Sequence, residues 1–444
     1  MRVAITTLGC KINQYDSAVI QSRLEEKHSF VAFNEIADCY IINTCTVTDR
    51  ADWEARQLVR RAKRASPGAK VLVTGCYAQV NSQAVAELPG VDYVVGLNRL
   101  DDLLRFVEGG ESVEGERIAV CDVKRVRGVP VLGTAALPGH TRAFLKIQEG
   151  CNYSCTYCII PVARGLSRSV APRAVLEQVR RLAEAGYVEI VLTGIHLGGY
   201  GQDLSPRADL ASLLEMIVES GVIPRVRLSS LDPREVSDRL IRLMAGSEVI
   251  CPHLHICAQS GNDEILKQMR RNYDMAYYRD LLAKVREHLP DAALGSDIIV
   301  GFPGETDDQF ESSRQGFASL PLTYFHVFPY SKRRGTAAAS FSDSVPPQVK
   351  KERARRMREL GSRKKKEFYR KFLGRRVSVL VEKAVDKKTG WQRGFSRNYL
   401  PVLVPASAAF VNREIDVDLG EIDHGWILGE VVESSKLPVR SGQW

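Results

Sequence analysis

No stretch of this 444-residue sequence approaches the roughly 18–20 consecutive apolar residues that a bilayer-spanning helix needs, so a helical membrane protein is not expected. The opening, Met1-Arg-Val-Ala-Ile-Thr, reads as a strand and lacks the basic-then-apolar order of a secretory leader, which makes the cytoplasm the expected location. There is no long internal repeat and no low-complexity tract, which argues against repeat and fibrous architectures. Nor is there the shortage of apolar residues that marks disorder, since 44% hydrophobic and 26% charged is ordinary globular composition. At roughly 100–200 residues per domain, the length accommodates two to four domains.

Acidic residues are scarce in one place. Between residues 350 and 376 fourteen Lys or Arg face three Glu, which accounts for the whole +9 net charge and leaves the rest of the chain near neutrality. A polybasic strip on a neutral body suits phosphate, most often that of nucleic acid. Residues 350–371 also fit an amphipathic helix with Ala354, Met357, Leu360 and Phe368 on one side, so a solvated helix face is the plain alternative.

The first 125 residues alternate short apolar runs at 3–8, 40–43, 71–74 and 93–95 with helical patterns at 14–26, 53–64 and 83–88, the βαβ signature of a parallel sheet. Residues 119–139 have no period and read as a linker. A second series follows, with strands at 144–147, 189–192, 226–229, 254–257, 297–300 and 324–328 separated by helical patterns such as 172–185, 209–220, 233–245, 275–288 and 306–319. Six such units predict an incomplete, laterally open version of the eight-unit parallel barrel, with active groups beyond the strands' C-terminal ends. Past the basic strip, strands at 377–382, 400–404, 414–419 and 426–432 predict a small β-barrel. The expected fold is α/β, with an N-terminal parallel-sheet unit over 1–125, a central six-unit partial (β/α) barrel over 137–371 and a small C-terminal β-barrel over 372–436.

Ten cysteines are too scattered for a secreted disulfide scaffold of this length, so metal or redox chemistry is the better reading. Cys151-Asn-Tyr-Ser-Cys155-Thr-Tyr-Cys158 follows the first strand of the expected barrel. A structural zinc wants four protein ligands and no fourth is near; three thiolates instead suit a 4Fe-4S cluster with one iron open to a small molecule. In the N-terminal unit Cys10, Cys45 and Cys76 each come just past an expected strand, so a parallel sheet brings them to one carboxyl edge, where open α/β sheets bind ligands. There Gly9 and Gly75 leave room for a second three-thiolate cluster, the alternative being three small buried hydrophobes. Cys39, Cys121, Cys251 and Cys257 have no partner at ligand spacing and read as structural.

The Cys-x3-Cys-x-aromatic-Cys run at the first turn of a six-unit barrel resembles the radical S-adenosylmethionine (SAM) superfamily. With the second triad, and with segments such as Thr7-Leu-Gly-Cys-Lys-Ile-Asn-Gln-Tyr-Asp-Ser17, Ile159-Ile-Pro-Val-Ala-Arg-Gly165, Ala258-Gln-Ser-Gly261 and Asp297-Ile-Ile-Val-Gly-Phe-Pro-Gly-Glu-Thr306, the whole chain is similar to the methylthiotransferase family. The Gly-Cys-Lys-x-Asn-Gln opening looks like its MtaB-type tRNA branch. Cys257-Ala258 departs from the Pro-Leu common in relatives.

What the resemblance implies is an enzyme that replaces C–H by C–SCH3 at carbon 2 of N6-threonylcarbamoyladenosine, next to the anticodon of tRNA. It implies two 4Fe-4S clusters, held by Cys10, Cys45 and Cys76 and by Cys151, Cys155 and Cys158, and no catalytic residue beyond these ligands. SAM cleaved at the second cluster gives a 5′-deoxyadenosyl radical, and sulfur comes from the first. Tyr157 then lies beside the adenine, with Gly194, Ser229, Gln259 and Asp297 as further SAM contacts, while His196 reads as a satisfied pocket residue. An electron donor and a sulfur donor are implied partners. RNA contact is expected at Lys364, Lys365 and Lys366 and, in the aromatic-cationic segment 391–399, at Arg393 and Arg397, although Trp391 and Phe395 also suit a core. The competing readings are a methylthiotransferase acting on isopentenyladenosine tRNA or on a ribosomal-protein aspartate, and a non-catalytic iron-sulfur RNA-binding regulator.

Overall fold

The structure, a computed structural model, describes residues 1–109, 117–129, 141–342 and 344–432. Much of the expected linker and the end of the last expected unit lie outside the described residues.

Six parallel strands form the N-terminal sheet, in the order Ser29–Val31, Arg2–Thr7, Cys39–Thr44, Lys70–Gly75, Tyr93–Val95, Ile118–Ala119. Cys39–Thr44 is buried at every position, the pattern of a strand covered on both faces. Tyr40 and Ile42 meet Ala55, Val59 and Ala62 of helix Asp49–Ala65. Cys39 and Ile41 point the other way, onto Ile20 and Leu24 of helix Lys11–Leu24. The strand order reverses between Arg2–Thr7 and Cys39–Thr44, and crevices at such reversals are where open α/β sheets take ligands. The edge strands Ser29–Val31 and Ile118–Ala119 are too short and too polar in context to stand out in the sequence.

Six parallel strands then follow in chain order: Arg142–Glu149, Glu189–Gly194, Arg225–Leu228 with its continuation Ser230–Leu231, His253–Ile256, Ala293–Val300 and Tyr324–Pro329. A bridge from Val226 to Ile250 joins the two halves, and the first strand pairs at its far edge only with the short antiparallel Arg168–Ser169 among the described residues. This is a partial (β/α) barrel, as expected. Side chains alternate along each strand. Leu145, Ile190, Val226, Leu228, Leu254 and Ile298 join the apolar layer under the helices. Their neighbours Lys146, Thr193, Arg225, Arg227, His253, His255 and Asp297 take the other face, so the barrel interior is polar.

The basic strip is helix Pro347–Arg370, with the expected apolar side. Ala354, Met357 and Leu360 join the barrel core. Arg353 is buried against Glu305 and Asp307, and Arg356 pairs with Glu311. Arg363, Lys366 and Arg370 remain exposed on one face, with no hydrogen bond or ion pair to any described residue.

The C-terminal strands close into a five-stranded barrel, Arg376–Val385, Gln392–Ser396, Pro401–Val404, Trp426–Val431 and Glu414–Asp423 in spatial order. Gln392–Ser396 was not expected as a strand, because its buried positions are Gln392, Gly394 and Ser396 while Arg393 and Phe395 lie half-buried outside. This barrel docks on the base of the larger one through buried charge. Glu189, fully buried, accepts from Arg225 at 2.8 Å and from Arg227 at 2.8 Å. Arg225 reaches on to Glu414 at 2.6 Å, Arg227 to the carbonyl of Arg397 at 3.0 Å, and Arg142 to Glu382 at 2.8 Å.

Burial would raise the Glu189 carboxyl, but the two guanidiniums outweigh it and hold it down at about 2. That depressed value contributes stability above the carboxylate's ordinary pKa near 4.5, which is lost as pH falls towards 2. Replacing Glu189 with Gln leaves two buried cations without their counter-ion. It is expected to lower unfolding stability by about 3–5 kcal/mol at neutral pH and to flatten the acid limb of the stability profile, both read by chemical denaturation.

Candidate functional site

The N-terminal triad is assembled by backbone geometry. Cys10 is the N-cap residue of helix Lys11–Leu24, Cys45 follows Cys39–Thr44 directly, and Cys76 opens the short helix Cys76–Val80. Gly9 and Gly75 have φ of +105° and +92°, a region that favours glycine. A Cβ on Gly9 would lie 2.7 Å from Cys45 Cβ, and one on Gly75 would collide with Asn43 and the Thr44 carbonyl. These glycines therefore let the three loops close on one another, a more specific role than leaving room. Asn13, fully buried one turn into the helix, donates to the carbonyls of Leu8 (2.8 Å) and Thr44 (3.0 Å) and fixes the first two loops. Burial pushes the Cys76 thiol up to about 12 and the Cys45 thiol upward as well.

Cys151 begins a loop held by its own amide on the Gly165 carbonyl (3.0 Å) and by Thr156, whose amide and hydroxyl donate to Met269 and Gln268. Burial raises the Cys151 thiol to about 11 and the Cys158 thiol to about 12. Each triad has N–H donors aimed at sulfur. Arg164 Nε lies 3.3 Å from Cys76 Sγ and Arg271 Nη1 lies 3.3 Å from Cys155 Sγ; the Val47 and Tyr153 amides approach Cys45 and Cys151 at 3.5 and 3.4 Å.

These donor sets fit 4Fe-4S clusters, in which hydrogen bonds to sulfur stabilise thiolate charge. They do not fit a lone tetrahedral ion. A metal–sulfur distance near 2.3 Å places ligand sulfurs about 3.8 Å apart. Among the described residues, however, the group whose ligand atoms converge within 4.8 Å is His255, Cys257 and Asp297, not either triad.

Arg164 joins the two loops. Fully buried six residues after Cys158, it bonds Glu149 with both carboxylate oxygens (2.9 and 3.0 Å), Asn13 Oδ1 (2.6 Å), Asp16 (3.2 Å) and Cys76. Lys146 completes the group, 2.6 Å from Asp16 and 3.0 Å from Glu149. Sequence reasoning gave neither Asn13 nor Arg164 a role. The available signal was that Asn13 lies one helical turn past Cys10.

The expected SAM contacts distribute along the barrel. Tyr157 packs against Ile265, Met269, Phe302 and Tyr330 beside the second triad. Gly194 ends its strand against Gln148, where a Cβ would lie 2.9 Å from the amide oxygen. Ser229 Oγ and the nearby Thr193 Oγ1 are buried without a partner among the described residues, the condition of groups that a polar ligand would satisfy. Gln259 has φ +67° and exchanges backbone hydrogen bonds with Asp297 and Ile299. Asp297 is held by His255 (2.9 Å) and His326 (3.2 Å), which keep its carboxyl well below the usual range although burial opposes them. Cys257, read as structural for want of a partner, has both Asp297 (3.5 Å) and His255 beside it. Spacing within one segment cannot show these neighbours, since Asp297 comes from the adjacent strand. His196 pairs with Glu235 and lies against the Tyr153 ring, tilted by 52° with centroids 4.3 Å apart.

Among the expected RNA contacts, Lys366 is exposed and Lys365 lies over the Tyr369 ring at 5.5 Å, while Lys364 donates to the Leu320 carbonyl at 2.7 Å. Arg393 lies 5.2 Å over Trp426 and bonds Asp386. Arg397 is committed to Glu414 and to the carbonyls of Pro224 and Glu248, inside the junction of the two barrels.

Comparison with known proteins bears on this arrangement directly. Residues 145–315 match the model of the radical SAM superfamily, and residues 2–96 match one described as uncharacterized protein family UPF0004. The threonylcarbamoyladenosine tRNA methylthiotransferase MtaB of Bacillus subtilis is 39% identical over 97% of this chain and 96% of its own length. The chain belongs to the radical SAM methylthiotransferase family. A second relative, the tRNA-2-methylthio-N(6)-dimethylallyladenosine synthase of Thermus thermophilus, is 36% identical over 97% of this chain and 92% of its own. The radical SAM methyltransferase TsrM of Kitasatospora setae, 16% identical with a TM-score of 0.52 over 74% of each chain, shares the fold. This methylthiotransferase is thus an enzyme whose cofactors are SAM and two 4Fe-4S clusters.

Replacing either cysteine triad with Ala is expected to halve the iron content of the anaerobically reconstituted methylthiotransferase, measured by iron assay. In the variant lacking Cys151, Cys155 and Cys158, Arg164→Gln removes a donor to the Cys76 sulfur. It should shift the EPR-monitored midpoint of the remaining cluster to lower potential.

Proposed function

We propose that the chain adds a methylthio group to carbon 2 of N6-threonylcarbamoyladenosine next to the anticodon of tRNA, in the cytoplasm, with an electron donor and a sulfur donor supplied from outside. The observation that carries this reading is the placement of two cysteine triads, tied through Arg164, beside one polar barrel interior, in a chain so similar to the B. subtilis enzyme. Bound at Cys151, Cys155 and Cys158, a cluster with SAM supplies the radical able to take an unreactive aromatic hydrogen, and a cluster at Cys10, Cys45 and Cys76 supplies the sulfur.

The chain's own residues bind and orient. Tyr157, Gly194, Ser229, Gln259 and Asp297 line the path from the second triad into the barrel; Ser229 Oγ supplies a hydrogen-bond partner and the ionised Asp297 an acceptor. Arg164 and Lys146, balanced by Glu149 and Asp16, hold the two cysteine loops at fixed separation. RNA is taken up by the exposed helix face of Arg363, Lys366 and Arg370, with Lys365 on the same helix and Arg393 on the C-terminal barrel as further contacts.

A second reading has support in the T. thermophilus relative, named as a synthase of 2-methylthio-N(6)-dimethylallyladenosine in tRNA. The two separate cleanly. Reconstituted enzyme with SAM and a reductant should convert tRNA carrying the threonylcarbamoyl group, detected by mass spectrometry of nucleosides; conversion of dimethylallyladenosine tRNA alone would overturn the assignment. Charge reversal at Arg363 and Lys366 should weaken tRNA binding regardless of the modified base. The slope of log affinity against log salt should fall by about 1 for each phosphate that the variant no longer neutralises.

A further inference from the structure

The residue after the first cluster cysteine points into the barrel with nothing to bind. Lys11 is only partly buried, yet its ammonium makes no hydrogen bond or ion pair with any described residue. Its electrostatic neighbours are Arg142, Arg227, Tyr399 and Glu189, so two further cations and one carboxylate share its surroundings. Both arginines are fully engaged elsewhere, Arg142 with Glu382 and the Tyr399 hydroxyl, Arg227 with Glu189 and the carbonyls of Arg397 and Ser396. The excess positive charge at Lys11 therefore has no internal counter-ion among the described residues. Beside it stands His253, 3% exposed, an electrostatic neighbour of Lys11 whose Nε2 meets the Tyr324 hydroxyl at 2.8 Å and whose Nδ1 is buried without a described partner. The Tyr399 ring, 4.8 Å from the His253 ring, closes this end of the chamber from the C-terminal barrel.

A lysine ammonium and an unsatisfied ring nitrogen facing one polar space in an excess of positive charge are what a carboxylate recognises. The geometry of the proposed reaction places a carboxylate nearby. Carbon 2 and the exocyclic N6 of adenine flank N1 on the same edge of the ring. When carbon 2 faces the Cys10 triad, the N6 arm lies along that edge. The Cα of Lys11 is one peptide unit, about 3.8 Å, from that of Cys10. Of the two candidate N6 substituents, threonylcarbamoyl ends in a carboxylate and dimethylallyl is uncharged.

We infer that Lys11, assisted by His253 Nδ1, binds the carboxylate of the N6-threonylcarbamoyl group and so determines which modified adenosine is accepted. The inference rests on the proposed function. It makes Lys11 a specificity-determining residue rather than a participant in bond breaking, and it assigns the base of the barrel to the substrate's side arm. An uncharged N6 substituent would leave both groups unsatisfied, the kind of mismatch that discriminates strongly between otherwise similar substrates.

The test uses the reconstituted holoenzyme and three anticodon stem-loop RNAs, bearing threonylcarbamoyladenosine, its threonine carboxamide counterpart, or dimethylallyladenosine. Affinity is read by fluorescence anisotropy and product by nucleoside mass spectrometry. Wild-type enzyme should bind the carboxylate RNA about 10- to 100-fold more tightly than the carboxamide, the worth of one charge-assisted hydrogen bond. Lys11→Gln should abolish that difference, raising KM for the carboxylate RNA more than it lowers kcat, with iron content unchanged; Lys11→Arg should restore part of it. A Lys11→Gln enzyme that retains its iron and still prefers the carboxylate by the wild-type factor overturns the inference. Should that variant lose iron, the wild-type comparison decides alone, and equal affinity for carboxylate and carboxamide overturns it. A wild-type enzyme yielding product only from dimethylallyladenosine RNA overturns the proposed function, an outcome distinguishable because the product nucleoside differs.

Discussion

A single buried guanidinium sets the relation between the halves of the chemistry. Arg164 belongs by sequence to the loop that begins at Cys151, yet one of its nitrogens lies against Cys76 and another against Asn13, which in turn fixes the loops of Cys10 and Cys45. A cation removed from water needs partners of opposite charge, and Arg164 has the carboxylates of Glu149 and Asp16, with the Cys76 sulfur accepting a further N–H. Removing any of them would expose the others to an unbalanced interior charge. The alignment of the two cysteine edges is therefore coupled to the integrity of one ionic group.

Much of this was legible because the chemistry is local. Cysteines at fixed offsets from apolar runs pointed to both triads, and the two periodicities separated parallel-sheet, barrel and small-barrel regions. What stayed hidden depends on pairing between distant segments. Helix Lys11–Leu24, capped by Cys10, starts earlier than its apolar pattern suggests, because its first turn carries the polar Lys11 and Asn13, and the hydrogen bonds of Asn13 are tertiary. Gln392–Ser396 escaped notice because its inward residues are polar or small. The His255, Cys257 and Asp297 group joins two strands some forty residues apart in sequence.

The basic strip shows how net charge misleads when counted without structure. Arg353, Arg355, Arg356, Arg358 and Lys364 all bond to carboxylates or carbonyls of the chain, and Arg375 and Arg376 pair with Asp291 and Asp418. The cations left without a described partner are a subset, of which Arg363, Lys366 and Arg370 share one face over two turns of the helix. A long amphipathic helix thus has two distinct sides, an inner one that seals the last strand of the barrel and an outer one whose charge is open to phosphate.

The placement of Arg164 also bears on how the molecule is made. Cys76 leaves the ribosome 88 residues before Arg164 does, about 4–18 s earlier at ~5–20 residues per second. Throughout that interval Cys10, Cys45 and Cys76 exist without the guanidinium that later donates to the Cys76 sulfur. Chain order thus makes the N-terminal triad before the cation that its most deeply buried sulfur faces.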